Sequence, residues 1–187
     1  MATVPELHGR RVRLRPIRDD DLPVFIHWLA DPEITCFMAG VMHLTVDEER
    51  KWARRVLEDP NEYVFSVEAE DGVLIGNCRL SLKRQHHAAS FGIMIGAKER
   101  WGRGYCQDVL STVLRYGFEE HRLHRIYLSV KEENVAGRRC YEKCGFVVEG
   151  LLREAELING TYHNVIRMGI LDREWQARYE QLVTSNQ

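Results

Sequence analysis

Hydrophobic and polar positions change period several times along the chain, and each change marks an element. Residues 10–17 (R-R-V-R-L-R-P-I) alternate and predict a first strand with its arginines on the solvent side. Residues 19–30 place Leu22, Phe25, Ile26 and Leu29 on one helical face behind an acidic first turn. Residues 45–57 predict a second helix, opened by Thr45 and Glu48 at capping-box spacing. Residues 63–69 and 73–82 read as a hairpin around Asp71-Gly72. Residues 90–96 form a short apolar strand, and residues 123–130 another. Between them Val109, Leu110, Val113, Leu114, Gly117 and Phe118 are spaced for one buried helical face. A last hairpin, residues 147–157 and 162–171 around Asn159-Gly160, precedes a terminal helix over 172–183. The pattern predicts an α+β fold. Its sheet is mostly antiparallel and twisted, with a parallel pair in the middle where a helix carries the chain across.

Two segments carry candidate chemistry. The first, E-R-W-G-R-G-Y-C-Q-D, puts Gly102 and Gly104 where a strand gives way to a helix. Free N–H groups at a helix start, with the helix dipole, favour an anion. Glycine lets the backbone turn tightly and approach a phosphate, and Arg100 and Arg103 add charge. A plain connecting loop would also accept these glycines. The second segment, N-V-A-G-R-R-C-Y-E-K-C-G-F, has Asn134 as N-cap and Gly145 as helix terminator. Asn134 and Tyr141 share a face, separated by about 10.5 Å at 1.5 Å per residue. An extended ligand arm could meet the amide and then the phenol. Capping, packing and termination alone would explain the same residues.

Composition narrows the class. A length of 187 residues suits one domain over 1–187 with a sizeable core. The net charge of −2 gives no reason to expect nucleic-acid binding. No apolar run reaches the ~18 residues of a membrane span, and the N-terminal residues do not read as a signal peptide. Five cysteines, Cys36, Cys78, Cys106, Cys140 and Cys144, lack zinc-type spacing. They read as reduced thiols in a cytoplasmic protein without a metal, a monomer or homodimer.

Taken together, the glycine loop, the helix, the strand and the N-x6-Y-x3-G-F segment resemble the GNAT superfamily of acetyl-CoA-dependent N-acetyltransferases. The opening R-V-R-L-R-P-I-R-D-D-D-L and the late E-G-L-L-R-E-A-E-L-I-N-G-T-Y-H-N-V-I-R-M-G-I-L resemble its ribosomal-protein and polyamine-acetylating branches. The resemblance implies two central strands that splay apart to admit the pantetheine arm of acetyl-CoA. Met94, Ile95 and Gly96 would meet the arm. Trp101, Gly102, Arg103, Gly104, Tyr105 and Cys106 would hold the pyrophosphate, and Asn134 the arm's far side. Arg139 and Lys143 could meet the adenosine end. One departure is Glu99, where the family has Gln or Arg.

The implied chemistry is attack of an amine on the thioester carbonyl and expulsion of a thiolate. A backbone N–H near Met94 would hold the oxyanion. Tyr141 stands where the family places its general acid, and a phenol is a neutral donor at pH 7. A lysine-like amine needs about 4.6 kcal/mol to become neutral at pH 7, and an α-amine only about 1. Relatives often carry a Glu at the position of Ser90, and serine cannot act as that base. Glu156, in register with a Glu of the ribosomal-protein branch, is the expected substitute. Glu68, Glu149, Glu154 and a water-bridged His86 or His87 are weaker. The favoured acceptor is a peptide or protein N-terminal α-amine. Alternatives are a small amine (polyamine, aminoglycoside or amino acid) or a non-catalytic acyl-CoA-binding sensor.

Overall fold

The computed structural model describes residues 4–38, 45–158 and 160–184. Eight strands join one sheet in the order β1-β2-β3-β4-β5-β6-β8-β7. They are β1 (Leu7–His8), β2 (Val12–Pro16), β3 (Glu62–Ala69), β4 (Leu74–Lys83), β5 (Ala88–Ile95), β6 (Arg125–Lys131), β7 (Val147–Ile158) and β8 (Thr161–Leu171). The helices are α1 (Leu22–Leu29), α2 (Pro32–Thr35), α3 (Val46–Glu58), α4 (Tyr105–Arg115), α5 (Val135–Lys143) and α6 (Asp172–Thr184). Every pairing is antiparallel except β5 with β6. The expected elements are therefore present, with residues 19–21 forming a 3-10 turn ahead of α1 and a π-turn over 116–120 after α4. The expected last turn falls partly on Asn159, which lies outside the described residues; its neighbour Gly160 has φ +79°.

Local chemistry explains where the helices begin and end. Thr45 and Glu48 close the capping box at the start of α3. Asn134 Oδ1 accepts from Gly137 N–H at 2.8 Å and starts α5. Gly145, at φ +98°, ends it. The predicted face of the long helix is buried, Val109 and Leu110 completely.

Strand register sorts side chains onto two faces. Leu14, Phe65, Leu80 and Ala89 point to one face and are fully buried there. Tyr116, just beyond α4, packs edge-on against Tyr63 and Phe65 of that face. α4 and α5 lie together on this side, and α6 joins them through Trp175, 5.4 Å from Phe118. The opposite face carries Arg13, Arg15, Ser66 and Glu68, and α1 docks on it through Asp21.

That docking corrects one expectation. Arg15 is not on the solvent side: it is 3 % exposed. Its guanidinium meets Asp21 and Glu68, while Arg13 also reaches Glu68 from the rim. Alternation placed the arginines together correctly, but α1 covers their face at Arg15.

Candidate active site

The parallel pair holds together only briefly. β5 and β6 pair at Ala88↔Arg125, Ala89↔Ile126 and Ser90↔Tyr127. β5 then continues to Ile95 and β6 to Lys131 without pairing to each other, so the sheet opens into a V whose apex is Ser90 and Tyr127. The backbone phase along β5 follows from two facts. Gly76 is opposite Ile95, and Gly96 N–H donates to Ile75 C=O at 2.9 Å. Antiparallel alternation then turns Met94 and Gly96 toward β4, and Phe91, Ile93 and Ile95 toward the gap. Of the expected trio, Ile95 faces the gap, but its carbonyl accepts from Trp101 Nε1 at 2.8 Å. Gly96 has a packing reason instead: a Cβ there would collide with the ring of Trp28. Ile93, which the motif did not single out, also turns its backbone toward the gap, on the apex side of Met94.

At the open end of the V sits the glycine loop. Gly102 and Gly104 have φ of +71° and +85°, a region that disfavours side chains, and a Cβ on either would meet nothing within 4 Å. The space beside the loop is open. The N–H groups from Gly102 to Gln107 hydrogen-bond to no described residue. Arg100 is anchored by Asp71 and Tyr105 Oη, yet its buried Nε has no partner. Unpaired donors around an open glycine turn at the start of α4 fit a pyrophosphate. Tyr105 contributes only backbone, since its ring is 2 % exposed and its hydroxyl accepts from Arg11 and Arg100. Asp108 fixes the helix start by accepting from Arg10, Arg11 and Val12 N–H. Arg103 is exposed, with its carbonyl held by Arg11. Trp101 leaves 41 % of its surface free beside the loop.

α5 returns from the open end toward the apex. Asn134 begins it with its carboxamide oxygen spent on the cap. Tyr141 is near its end, its ring 6.2 Å from that of Phe146. Burial pushes the Tyr141 phenol well above its ordinary value, and the neighbouring thiols of Cys106, Cys140 and Cys144 add to this. It therefore stays protonated across the whole physiological range. Cys106 and Cys140 touch at 2.8 Å as free thiols, joining α4 to α5 beside that ring. Arg139 and Lys143 are exposed on α5.

Register separates Glu156 from this chemistry. Val147, next to Phe146, pairs with Gly169, whereas Glu156 pairs with His163, a distance of roughly 20 Å along the strand at ~3.3 Å per residue. A bulge intervenes between Leu152 and Glu156, closed by Glu154 N–H on Asn164 Oδ1 at 2.8 Å. Of the weaker acids, Glu68 is ion-paired with Arg13 and Arg15, and Glu149 with Arg125. His86 and His87 lie beyond the closed end of the V, where His87 C=O accepts from His124 and Arg125 N–H.

The face of the apex away from α4 and α5 is open. Gly92 and Ser129 are exposed there, and Ser90 and Tyr127 half-buried. A cleft of about 400 Å³ lies against it, lined by Glu62, Arg79, Ser81, Ser90, Phe91 and Gly92. Lys83, Arg125 and Arg167 surround the ring of Tyr127 at 5.3 to 5.4 Å. A second cleft of about 280 Å³, lined in part by Trp28, Asp31, Lys98 and Glu99, lies at the other end of β5. No helix among the described residues is long and apolar enough to cross a membrane.

Comparison with known proteins agrees with this geometry. Residues 11–147 match the acetyltransferase (GNAT) domain. The chain is 36 % identical to spermidine N(1)-acetyltransferase of Vibrio cholerae over 172 residues, covering 91 % of this chain and 98 % of that protein. It is 33 % identical over 108 residues to the putative ribosomal N-acetyltransferase YdaF of Bacillus subtilis, covering 57 % of this chain and 58 % of that one. The crystal structure of the Vibrio cholerae spermidine N-acetyltransferase with CoA and spermine superposes with a TM-score of 0.82 at 33 % identity, covering 88 % of this chain and 98 % of that one. The splayed sheet, the open glycine turn, the domain match over residues 11–147 and the similarity to spermidine N(1)-acetyltransferase over most of both chains place the chain in the GNAT family, as an acetyl-CoA-dependent N-acetyltransferase.

Proposed function

We propose that this enzyme acetylates a small primary amine of the polyamine class. The observation that carries the reading is similarity over nearly the whole chain to spermidine N(1)-acetyltransferase. The sequence alone favours a peptide N-terminus, from the serine at position 90, the lack of a long acidic run, the low cost of a neutral α-amine and the register of Glu156. The strand register sets Glu156 roughly 20 Å along the strand from the level of Tyr141, which weakens the last of these grounds.

The V supports an assignment of roles. The glycine turn and the first turn of α4, residues Trp101 to Cys106, hold the pyrophosphate of acetyl-CoA by backbone N–H groups. Exposed Trp101, Arg139 and Lys143 flank the nucleotide end. Ile93 and Ile95 line the arm's path along β5, with Asn134 opposite; Met94 and Gly96 shape that edge by packing. Ile93 N–H polarises the carbonyl. Tyr141 protonates the departing sulfur from the helical side of the sheet, and the amine approaches from the open side. A location in the reducing cytoplasm suits the free thiols at Cys106 and Cys140.

A second reading keeps the peptide N-terminus or an amino acid as acceptor. It rests on Lys83, Arg125 and Arg167 around Tyr127, together with Arg79 at the cleft. Arg125 and Arg79 are paired with Glu149 and Glu62, so it is Lys83 and Arg167 that disfavour a polycation and attract an acceptor with a carboxylate. The deciding experiment is thiol release from acetyl-CoA with spermidine, a short peptide beginning with Ser or Ala, and a free amino acid. The polyamine reading expects the highest kcat/KM with spermidine. A clear preference for the peptide or amino acid would replace it with the second.

A further inference from the structure

Ser90 stands at the apex of the V where an acid is missing, and its neighbours form a row across the sheet. Glu62 pairs with Ser81, Ser81 with Ser90, and Ser90 with Tyr127. Directly opposed residues bring their Cβ atoms to about 4.5–5.5 Å on the same face. The row thus runs from a carboxylate through two hydroxyls to a phenol. Its first link is made: Ser81 Oγ donates to Glu62 Oε2 at 2.6 Å. Arg79 holds the same carboxylate at two points, both 2.7 Å, and fixes its orientation. Glu62, Ser81 and Ser90 all line the cleft of about 400 Å³, which has room for ordered water between the hydroxyls. Tyr141 lies on the opposite side of the sheet at the level of Phe146, so acid and row flank the gap from two sides.

We propose that Glu62 receives the acceptor's proton through Ser81 and Ser90, replacing the carboxylate absent from position 90. This rests on the reading of the protein as an amine acetyltransferase with the reacting carbon at the apex. The amine nitrogen forms its bond to the carbonyl carbon and becomes far more acidic. It gives its proton to Ser90 Oγ or a water beside it, each hydroxyl passes its own proton on, and Glu62 takes the last. The C–S bond breaks, and the sulfur takes the proton of Tyr141 Oη. Glu62 ends protonated and Tyr141 ionised; solvent exchange through the cleft resets both. Glu62 touches no reacting atom and acts as a positioning and proton-accepting residue.

The test uses the full chain, acetyl-CoA and the amine the wild-type protein acetylates fastest. Ser81→Ala leaves the Glu62–Arg79 pair in place and cuts the row. Its kcat should fall about 10²-fold, within the range of acid–base catalysis, and its solvent hydrogen isotope effect should shrink. Ser81→Thr restores the hydroxyl and should restore most of kcat. Glu62→Gln should lose as much as Ser81→Ala, and Ser90→Glu added to it should recover activity by placing a carboxylate at the apex. Thermal melting of each variant separates loss of fold from loss of the row. Wild-type kcat and isotope effect in Ser81→Ala, or no recovery when Ser90→Glu is added to folded Glu62→Gln, would overturn the relay while leaving the enzyme reading intact. A wild-type protein that acetylates no amine would overturn both.

Discussion

Arg15 grips Asp21 at two points, Nη1 to Oδ2 at 2.7 Å and Nη2 to Oδ1 at 2.8 Å, with both side chains buried. The pair fastens α1 to the sheet. Burial alone would raise the Asp21 carboxyl, but hydrogen bonds from Arg15, Ser66 and Arg18 N–H outweigh it and hold it below its ordinary value. Removing Asp21 leaves Arg15 with Glu68 as its buried partner, so the loss falls below the ~3–5 kcal/mol of a wholly orphaned charge.

Asp21→Asn should therefore unfold more easily in urea by about 2–3 kcal/mol near neutral pH. The folded pKa is depressed, so the stabilisation is complete above the ordinary carboxylate range and fades as pH falls through the lower folded value. The gap between wild type and variant should narrow toward pH 3. Equal destabilisation at pH 7 and pH 3 would show that the charge is not what matters.

Glu49 presents the opposite sign. It is 4 % exposed, pairs with no described residue, and burial pushes its carboxyl above the ordinary value. The cost of ionising it grows as pH rises past the unfolded value. Glu49→Gln should stabilise the fold by about 1 kcal/mol at pH 8 and by less at pH 4. Melting curves at the two pH values decide it, and a variant less stable than wild type at pH 8 would point to an acceptor role for that carboxylate.

Tyr141→Phe keeps the ring against Phe146 and removes only the proton donor. kcat should fall roughly 10²-fold with CoA affinity nearly unchanged. Because the phenol is raised, wild-type kcat should show no alkaline loss within the ordinary phenol range. An unchanged kcat in a chemistry-limited reaction would leave Tyr141 as packing.

Gly104→Val places a branched side chain where φ is +85° and where a phosphate must approach. Wild type should bind CoA at micromolar strength, about −8 kcal/mol, and the variant should show no binding by calorimetry. Equal binding would refute the phosphate turn.

Much of the site was legible because its signals are local. Gly102 and Gly104 precede a helical period, and Asn134 and Gly145 bracket another within a dozen positions. What escaped depends on register. Arg15 meets Glu68 only after β2 and β3 pair. Glu62, Ser81, Ser90 and Tyr127 are scattered in the chain and become a row only when four strands align. The phase that turns Ile93 rather than Met94 into the gap is set by one hydrogen bond, Gly96 to Ile75. Glu156 looked close because motif order carries no distance, and β7 runs away from the apex before reaching it.

The opening between β5 and β6 also makes the enzyme mechanically incomplete when empty. Phe91 and Ile93 present a ladder edge inside the sheet, and within the sheet the two halves are joined by the short seam at residues 88–90, with α4 and α5 in contact beside it. A strand-like arm seated in the gap would tie them together, so ligand occupancy and rigidity rise as one quantity. Amide hydrogen exchange at Ile93 and along β6 should slow together on adding CoA, while β2 and β3 exchange as before. Such a protein should resist urea and added protease better with CoA bound than without it.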